Sequence, residues 1–193
     1  LIMTPGSKGM KGSIAKAEEL VKEKGYYMPM QFDNPENPNI HELTTGPEII
    51  SAMNGIGKSV DAFVAGVGTG GTLSGIGRAL KKENPNTKVY ALEPSESPLL
   101  KDGKTGKHGI AAGFIPKNLD KDVYDGIVEV STDEAMKIAC EVAKNEGFLP
   151  GIFAGANIHG AIELAKKLGK GHAAVTVSPD GGDRYLSTAL FNE

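Results

Sequence analysis

The sequence has no tryptophan, a single cysteine and no marked excess of charge of either sign. One cysteine, Cys140, cannot form a disulfide within the chain, which favours a reducing compartment and predicts a cytoplasmic protein. The net charge of −3, with lysines spread along the chain, gives no basic surface for nucleic acid or an anionic membrane. No apolar run approaches the roughly 18 residues of a membrane-spanning helix, and the N-terminus has no signal-peptide core. We therefore expect neither nucleic acid nor a membrane as a partner.

Apolar residues recur at helical and strand spacings in alternation along the chain. The pattern predicts helices at 11–24, 44–54, 72–83, 132–146 and 157–168, and strands at 26–32, 60–65, 88–92, 127–130 and 173–177. Strands separated by helices of this length are typical of a parallel sheet with helices on both faces. The predicted fold class is therefore α/β, with three layers.

Proline and asparagine mark the best candidate for a domain boundary. Residues 33–40 read DNPENPNI, in which two Asn-Pro pairs disfavour helix and predict a turn-rich crossing. Downstream, Thr45 or Gly46 is predicted to cap a new helix with Pro47 at its first position. Residues 94–118 are predicted to be an irregular functional loop.

Residues 64–82, VAGVGTGGTLSGIGRALKK, place a glycine-rich loop between a predicted strand and a predicted helix. Such a loop exposes unpaired amides at the positive end of a helix, where an anion binds. Glycines allow close approach of the backbone, and the hydroxyls of Thr69 and Thr72 can add donors. The alternative is a tight turn without a ligand.

One interpretation of this loop is a dinucleotide site. Gly66, Gly68 and Gly71 fit the GxGxxG spacing, and Glu93 ends the next predicted strand, where a ribose-binding acid would lie. This pattern predicts an NAD-dependent dehydrogenase domain. The match is weak, because chance hits are easy in so glycine-rich a stretch, and Glu93 could simply face solvent.

The same run, GVGTGGTLSGIGRALKK, is very similar to the phosphate-binding loop and helix of the cysteine synthases, or O-acetylserine sulfhydrylases. NPENPNIHELTTGPEI, VYALEPSESPLL and GGDRYLSTALF also resemble this family, in order and at sensible spacing. The opening TPGSKGMKGSIAKAEEL resembles it too, so the similarity covers essentially the whole chain.

The resemblance implies a pyridoxal-phosphate enzyme of fold type II, the tryptophan-synthase-β type, incomplete at the N-terminus. It divides the chain into 1–32, a remnant of the smaller domain, and 33–193, the larger domain that binds the cofactor phosphate. The phosphate ligands it implies are Gly68, Thr69, Gly70, Gly71 and Thr72. The implied activity is synthesis of L-cysteine from O-acetylserine and sulfide by β-replacement. A homodimer, and the C-terminal tail of serine acetyltransferase as a partner, are also implied.

Three departures from the family pattern bear on activity. The Schiff-base lysine lies upstream of the segment with which this chain begins, so no catalytic residue is assigned here and the isolated chain is expected to be inactive. Phe153 stands where the family has a serine beside the pyridine nitrogen. Residues 109–114, GIAAGF, resemble a segment at the active-site mouth, with Ala111 in place of a glycine. The missing lysine and Phe153 leave open a non-catalytic paralogue that binds a partner peptide or an anion. No metal ligands are assigned.

Overall fold

Four parallel strands form the centre of the molecule. The computed structural model describes residues 1–103 and 113–190. The strands are β1 (Ala62–Gly66), β2 (Lys88–Pro94), β3 (Gly126–Val130) and β4 (Ala174–Thr176), and their order in the sheet is β3-β2-β1-β4. In register, Ala62 of β1 lies opposite Lys88 of β2 and Ala174 of β4. The parallel sheet predicted from the alternating pattern is confirmed.

Helices cover both faces of this sheet. The α-helices of the described residues are α1 (Gly9–Lys24), α2 (Glu36–Ile40), α3 (Gly46–Gly55), α4 (Gly71–Glu83), α5 (Leu99–Asp102), α6 (Thr132–Glu146) and α7 (Ile152–Leu168), of which α3, α4, α6 and α7 pack on the sheet. On one face, α4 packs Leu73 and Ile76 against Phe63, and side chains of α3 join this cluster. On the other face, α6 and α7 cover Val64 and Leu92. The predicted three-layer α/β architecture is therefore confirmed.

Local signals in the sequence set several helix ends. The side-chain oxygen of Ser131 accepts from the amide of Glu134, and the Glu134 carboxylate accepts from the amide of Ser131, which together form a capping box at the start of α6. Gly25 and Gly147 take left-handed conformations directly after α1 and α6. Helix α7 begins at Ile152, five residues before the predicted start at 157.

The strand predicted at 26–32 is wrong. Met30 has φ of 56°, in the left-handed region, and its carbonyl accepts from the amides of both Asp33 and Asn34. The segment is a tight turn, because these local bonds replace pairing with a neighbouring strand. The irregular loop predicted at 94–118 includes the short helix α5 among its described residues.

The turn-rich crossing predicted at 33–40 is also only partly right, because the chain is helical from Glu36 through Gly55. Between α2 and α3 the helix widens into a π-turn at His41–Thr45, where the amide of Gly46 reaches the carbonyl of His41. Pro47 has no amide hydrogen, and the widened turn accommodates it inside the helix. Thr45 has helical backbone angles and makes no capping bond, so the predicted helix start there is wrong.

Asp61 joins the beginning of β1 to the residue before β4. Its carboxylate accepts from the amide of Ala173 at 2.7 Å and lies 3.2 Å from Nδ1 of His172. The Ala173 amide, followed by His172, lowers the pKa of Asp61 below its ordinary value. The stability that this carboxylate contributes is thus present above its pKa in the unfolded chain and is lost as pH falls through the folded-state pKa.

We predict that Asp61→Asn lowers the free energy of unfolding at neutral pH by about 1 kcal/mol, because the amide bond to a charged acceptor is weakened. The loss should shrink as pH falls below the ordinary aspartate pKa of about 3.9 and through the lower folded-state pKa, because the wild-type carboxylate then becomes protonated as well. Urea denaturation at neutral pH and at the acid end of this range measures this. An equal loss at both would contradict the assignment.

Within residues 1–103 and 113–190, no helix is long and apolar enough to cross a membrane. The same ranges contain no group of three or more His, Cys, Asp or Glu side chains placed to hold a metal ion.

Candidate functional site

A polar cavity lies at the carboxyl ends of β1 and β4. Strand β1 pairs with β2 on one side and with β4 on the other. The chain runs from β1 to β2, away from β4, so the loops that follow β1 and β4 diverge at the carboxyl ends of these two strands. Ligands of open parallel sheets bind at such a switch point. The cavity has a volume of about 680 Å³ and is lined by Gly66, Gly68, Thr69, Gly70, Thr72, Phe153, Pro179, Asp180, Gly181, Asp183, Arg184 and Tyr185.

The glycine loop forms one wall of this cavity. Gly70 has φ of 82°, and a Cβ there would lie 2.8 Å from the backbone of Leu119, so both conformation and space require glycine. A Cβ at Gly68 would meet no atom within 4 Å, so the loop leaves open space on the cavity side. Four of the five predicted loop residues line the cavity, and Gly71 does not: it is buried beneath Asn37.

The N-terminus of α4 lies in this wall, and its first amides have no partner inside the helix. The amide of Ser74 donates to the carbonyl of Gly70, which is the first bond of the helical ladder, so the amides before it have no partner inside the helix. No side chain of its own N-cap residue closes this end, because that residue is Gly70. The helix dipole therefore adds uncompensated positive potential where the loop is open.

Two threonine hydroxyls stand in the loop, and each has a side-chain partner. Thr69 Oγ1 lies 3.0 Å from Nδ2 of Asn37, and Thr72 Oγ1 lies 3.2 Å from Nε2 of His41. The Nδ1 atom of His41 lies 2.9 Å from Oγ1 of Thr45. Burial lowers the pKa of His41, so the ring is neutral at physiological pH and bridges two hydroxyls.

The opposite wall is formed by the beginning of α7 and the segment after β4. The Asp180 carboxylate accepts from the amides of Phe153 and Ala154, at 3.2 and 2.7 Å, and from the Tyr185 hydroxyl at 2.7 Å. Burial, and then Asp180, raise the pKa of Tyr185 above its ordinary value, so the phenol stays protonated. Of the two helix N-termini at the cavity, that of α7 is neutralised by Asp180, and that of α4 is left for an anion.

Phe153 occupies the second position of α7 and lines the cavity with its side chain 38% exposed. The structure thus places Phe153 in the same cavity as the glycine loop, and its role beside a cofactor stays a prediction. Residues 109–112 of the predicted mouth segment, including Ala111, lie outside the described residues. Of that segment, Phe114 packs edge-to-face on Phe32 with ring centroids 5.0 Å apart.

Asn157 holds the two walls together. Its side chain is only 3% exposed, its Oδ1 accepts from the amide of Gly66 at 2.8 Å, and its Nδ2 donates to the carbonyl of Val177 at 2.9 Å. These backbone groups lie where β1 and β4 diverge, so no sheet bond is formed by either of them with the other strand. A single amide side chain therefore fixes the width of the cavity floor.

Glu93 has a structural role, contrary to both interpretations of it from sequence. It is 3% exposed, so it does not face solvent, and it is not among the residues that line the cavity. Its carboxylate accepts from the amides of Leu100 and Lys101, at 2.6 and 3.0 Å. Both oxygens are used to hold the turn into α5, so Glu93 is not placed as a ribose ligand beside the glycine loop.

The residues that sequence reasoning missed are polar side chains from distant segments, namely Asn37, His41, Asn157, Asp180 and Tyr185. A signal existed for some of them. Asn37 and His41 lie within the NPENPNIHELTTGPEI run, and Tyr185 lies within GGDRYLSTALF, so attention to polar residues in those runs would have found them. Asn157 sits inside an apolar helical pattern and carries no such signal.

Comparison with known proteins agrees with this arrangement. Residues 1–180 match the family model described as "Pyridoxal-phosphate dependent enzyme". The chain is 55% identical over its whole length to a cysteine synthase from Staphylococcus aureus, of which it spans 62%. It thus covers less than two thirds of this relative.

Solved structures give the same result. A hydrogen sulfide-producing enzyme from Fusobacterium nucleatum superposes with a TM-score of 0.93 at 41% identity, covering 100% of this chain and 59% of that one. O-acetylserine sulfhydrylase isoform 3 from Entamoeba histolytica superposes with a TM-score of 0.86 at 40% identity, covering 100% and 58%. The similarity therefore extends through sequence and fold alike.

Proposed function

We propose that this chain, which belongs to the family of pyridoxal-phosphate-dependent enzymes, is part of a cysteine synthase. In this proposal the complete protein makes L-cysteine from O-acetylserine and sulfide. The cavity between β1 and β4 binds the cofactor, and the α4 end of the cavity takes its phosphate. The observation that carries the proposal is the glycine loop, whose open wall joins unpaired helix amides to two hydroxyls.

The phosphate fits this wall on chemical grounds. Backbone amides can only donate, and the loop offers those of Gly68, Gly70 and Thr72. The hydroxyls of Thr69 and Thr72 can also act as donors, and no carboxylate belongs to the loop. A dianionic phosphate gains charge-assisted hydrogen bonds here. In this proposal Gly71 contributes by permitting the packing of its neighbours, since it does not line the cavity.

When bound, pyridoxal phosphate supplies an electron sink that lets a leaving group depart from the β-carbon of an amino acid. The residues of this chain anchor and orient it, and Tyr185, whose hydroxyl hydrogen is donated to Asp180, can accept a hydrogen bond at the cavity wall. The chain spans 62% of the length of the cysteine synthase that it matches. We place the lysine that binds the cofactor covalently in the remaining length.

The direct test is an assay of the full-length protein with O-acetylserine and sulfide, in which cysteine is measured as the product. A parallel assay with homocysteine in place of sulfide distinguishes the cysteine synthases from the related cystathionine β-synthases. Formation of cysteine supports the proposal. Binding of pyridoxal phosphate without turnover of either substrate would instead favour the non-catalytic paralogue, for which Phe153 in the cavity wall is the motivating observation.

Phe153 gives a separate prediction. Serine at this position would restore the hydroxyl that the resemblance places beside the pyridine nitrogen, and it would remove a ring from the cavity wall. We expect Phe153→Ser in the full-length protein to raise the affinity for pyridoxal phosphate by about tenfold, the effect of one added hydrogen bond. Titration of the cofactor-free protein, followed by absorbance, measures it.

Phe148→Ser is the matched control, because Phe148 is also exposed, at 48%, and does not line the cavity. It should leave the affinity unchanged. If Phe153→Ser weakens cofactor binding, the aromatic ring is itself part of the cofactor site.

We also propose the division into residues 1–32 of a smaller domain and 33–193 of the larger one. Helix α1 has no buried residue, and an apolar groove of about 350 Å³ runs between it and residues 28–33. Such a groove is explained if the rest of a smaller domain packs on it. A cytoplasmic location is supported by the single free thiol. A homodimer and a serine acetyltransferase tail as partner are supported by the resemblance to cysteine synthases.

A further inference from the structure

The hydroxyl of Thr69 is surrounded by donors. Its Oγ1 accepts from Nδ2 of Asn37 at 3.0 Å and, more weakly, from the amide of Gly71 at 3.4 Å. A hydroxyl has two acceptor lone pairs and a single hydrogen to donate. Because both lone pairs face donors, the hydrogen of Thr69 is left for a third partner, and Thr69 lines the cavity.

The orientation of the Asn37 amide is fixed from its other side. The same Nδ2 donates to the carbonyl of Gln31 at 2.8 Å. A backbone carbonyl can only accept, so the amide group that faces it must be the NH₂ and not the oxygen. The carbonyl of Gln31 thereby decides that Asn37 presents a donor to Thr69. Gln31 belongs to residues 30–32, called here the crossing segment because they lead into residues 33–40.

The Gln31 carbonyl is also held by a second side chain. It accepts from Nδ2 of Asn118 at 2.8 Å, and it directly follows the turn at Met30, where φ is 56°. The amide of Asn118 in addition donates to the carbonyl of Phe32. The crossing segment is therefore held against the large domain at two successive carbonyls.

Space for the Asn37 side chain exists only because residue 71 is glycine. A Cβ at Gly71 would lie 1.9 Å from Oδ1 of Asn37 and 2.5 Å from its Cγ. The sequence suggests that this glycine admits a ligand, whereas the structure gives the space to Asn37.

We propose that Asn37 is a positioning residue for the anion site: it makes the Thr69 hydroxyl an obligatory donor to the phosphate and couples that donor to the crossing segment at Gln31. The inference rests on the proposed function of the loop as a phosphate site. Its consequence is that a shift of the crossing segment turns the Asn37 amide and withdraws one hydrogen bond from the phosphate.

The test uses Asn37→Asp in the full-length, cofactor-free protein. Aspartate has the same shape but only accepts, so the Thr69 hydrogen turns towards it and away from the cavity. The probe is pyridoxine 5′-phosphate, which has no aldehyde and forms no covalent bond to lysine, and binding is measured by calorimetry. Unphosphorylated pyridoxine is the reference ligand. We expect Asn37→Asp to lower the affinity for pyridoxine 5′-phosphate by about tenfold or more, and the affinity for pyridoxine by less than about twofold.

Two further variants separate this effect from added charge and from misfolding. Asn37→Leu removes the donor without a charge and should also cost about tenfold. Asn39→Asp adds the same charge two residues away, where the side chain donates to Glu36, and should leave binding within about twofold of wild type. In a Thr69→Val background, which has no hydroxyl, Asn37→Leu should cost less than about twofold.

The outcomes distinguish a failure of the proposed phosphate site from a failure of the proposed role of Asn37. If the wild-type protein binds pyridoxine 5′-phosphate no better than pyridoxine, the loop is not a phosphate site, and the proposed function and this inference both fail. If the wild type prefers the phosphate but Asn37→Asp and Asn37→Leu bind it within twofold of wild type, only the role of Asn37 is overturned. An undiminished loss in the Thr69→Val background would likewise overturn it.

Discussion

Replacing Gly75 by alanine is expected to lower the free energy of unfolding by about 3 kcal/mol, at the upper end of overpacking effects. A Cβ at Gly75 would lie 2.1 Å from the carbonyl oxygen of Pro38 and 2.8 Å from the amide of Glu42. Both are backbone atoms, so no side chain can rotate to make room. Helix α4 must then separate from α2 and the π-turn.

The same separation would carry Asn37 and His41 away from Thr69 and Thr72. We therefore expect Gly75→Ala to weaken binding of a phosphate ligand as well as stability. Chemical denaturation and ligand titration of the full-length protein measure the two effects.

Gly55→Ala is the matched control for this prediction. Gly55 is also helical, at the end of α3, and a Cβ there would meet no atom within 4 Å. Because alanine favours helix over glycine, this variant should be neutral or stabilised by up to about 1 kcal/mol. If Gly75→Ala is as stable as Gly55→Ala, then α2 does not pack on α4 as closely as the contacts of Gly75 indicate.

Asn157→Leu is expected to have an effect of similar size, a loss of about 3 kcal/mol of unfolding free energy. Leucine has the same number and branching of side-chain heavy atoms, so the change removes hydrogen bonds without opening a cavity. It leaves the amide of Gly66 and the carbonyl of Val177 without their partner at a buried position. Each buried unpaired group costs about 1–3 kcal/mol.

The variant should also release the floor of the cavity, since Asn157 joins the end of β1 to the segment after β4. Loss of cofactor affinity should accompany the loss of stability. Asn145→Leu, in the exposed face of α6, is the control and should change stability by no more than about 0.5 kcal/mol. A stable Asn157→Leu protein that binds cofactor normally would show that this bridge is dispensable.

Much of the fold could be predicted because its signals are local. Five of the predicted helices and four of the predicted strands correspond to elements of the structure, and Ser131 with Glu134 caps α6 as the spacing indicates. The failures lie where tertiary contacts compete with local preference. Residues 26–32 have strand-like composition, but the turn at Met30 and the bonds from Asn118 decide their conformation.

Residue types alone predicted an anion site in the loop at Gly68–Thr72, and the family resemblance predicted the phosphate of pyridoxal phosphate as its ligand. The dinucleotide interpretation used the same glycines and failed on Glu93. That residue matches the motif in spacing, yet its carboxylate is occupied by the amides of Leu100 and Lys101. A spacing rule cannot reveal that a side chain already has its partners.

By itself, the sequence determined the order of strands and helices along the chain, the parallel sheet with two covered faces, and the glycine-rich loop between β1 and α4. Each of these follows from periodicity or from neighbouring residues. Only the tertiary structure decided how the loop is held: Asn37 meets Thr69 across 32 residues, and Asn157 meets Gly66 across 91. The physical reason is that a hydrogen bond depends on distance and direction in space, which local patterns do not specify.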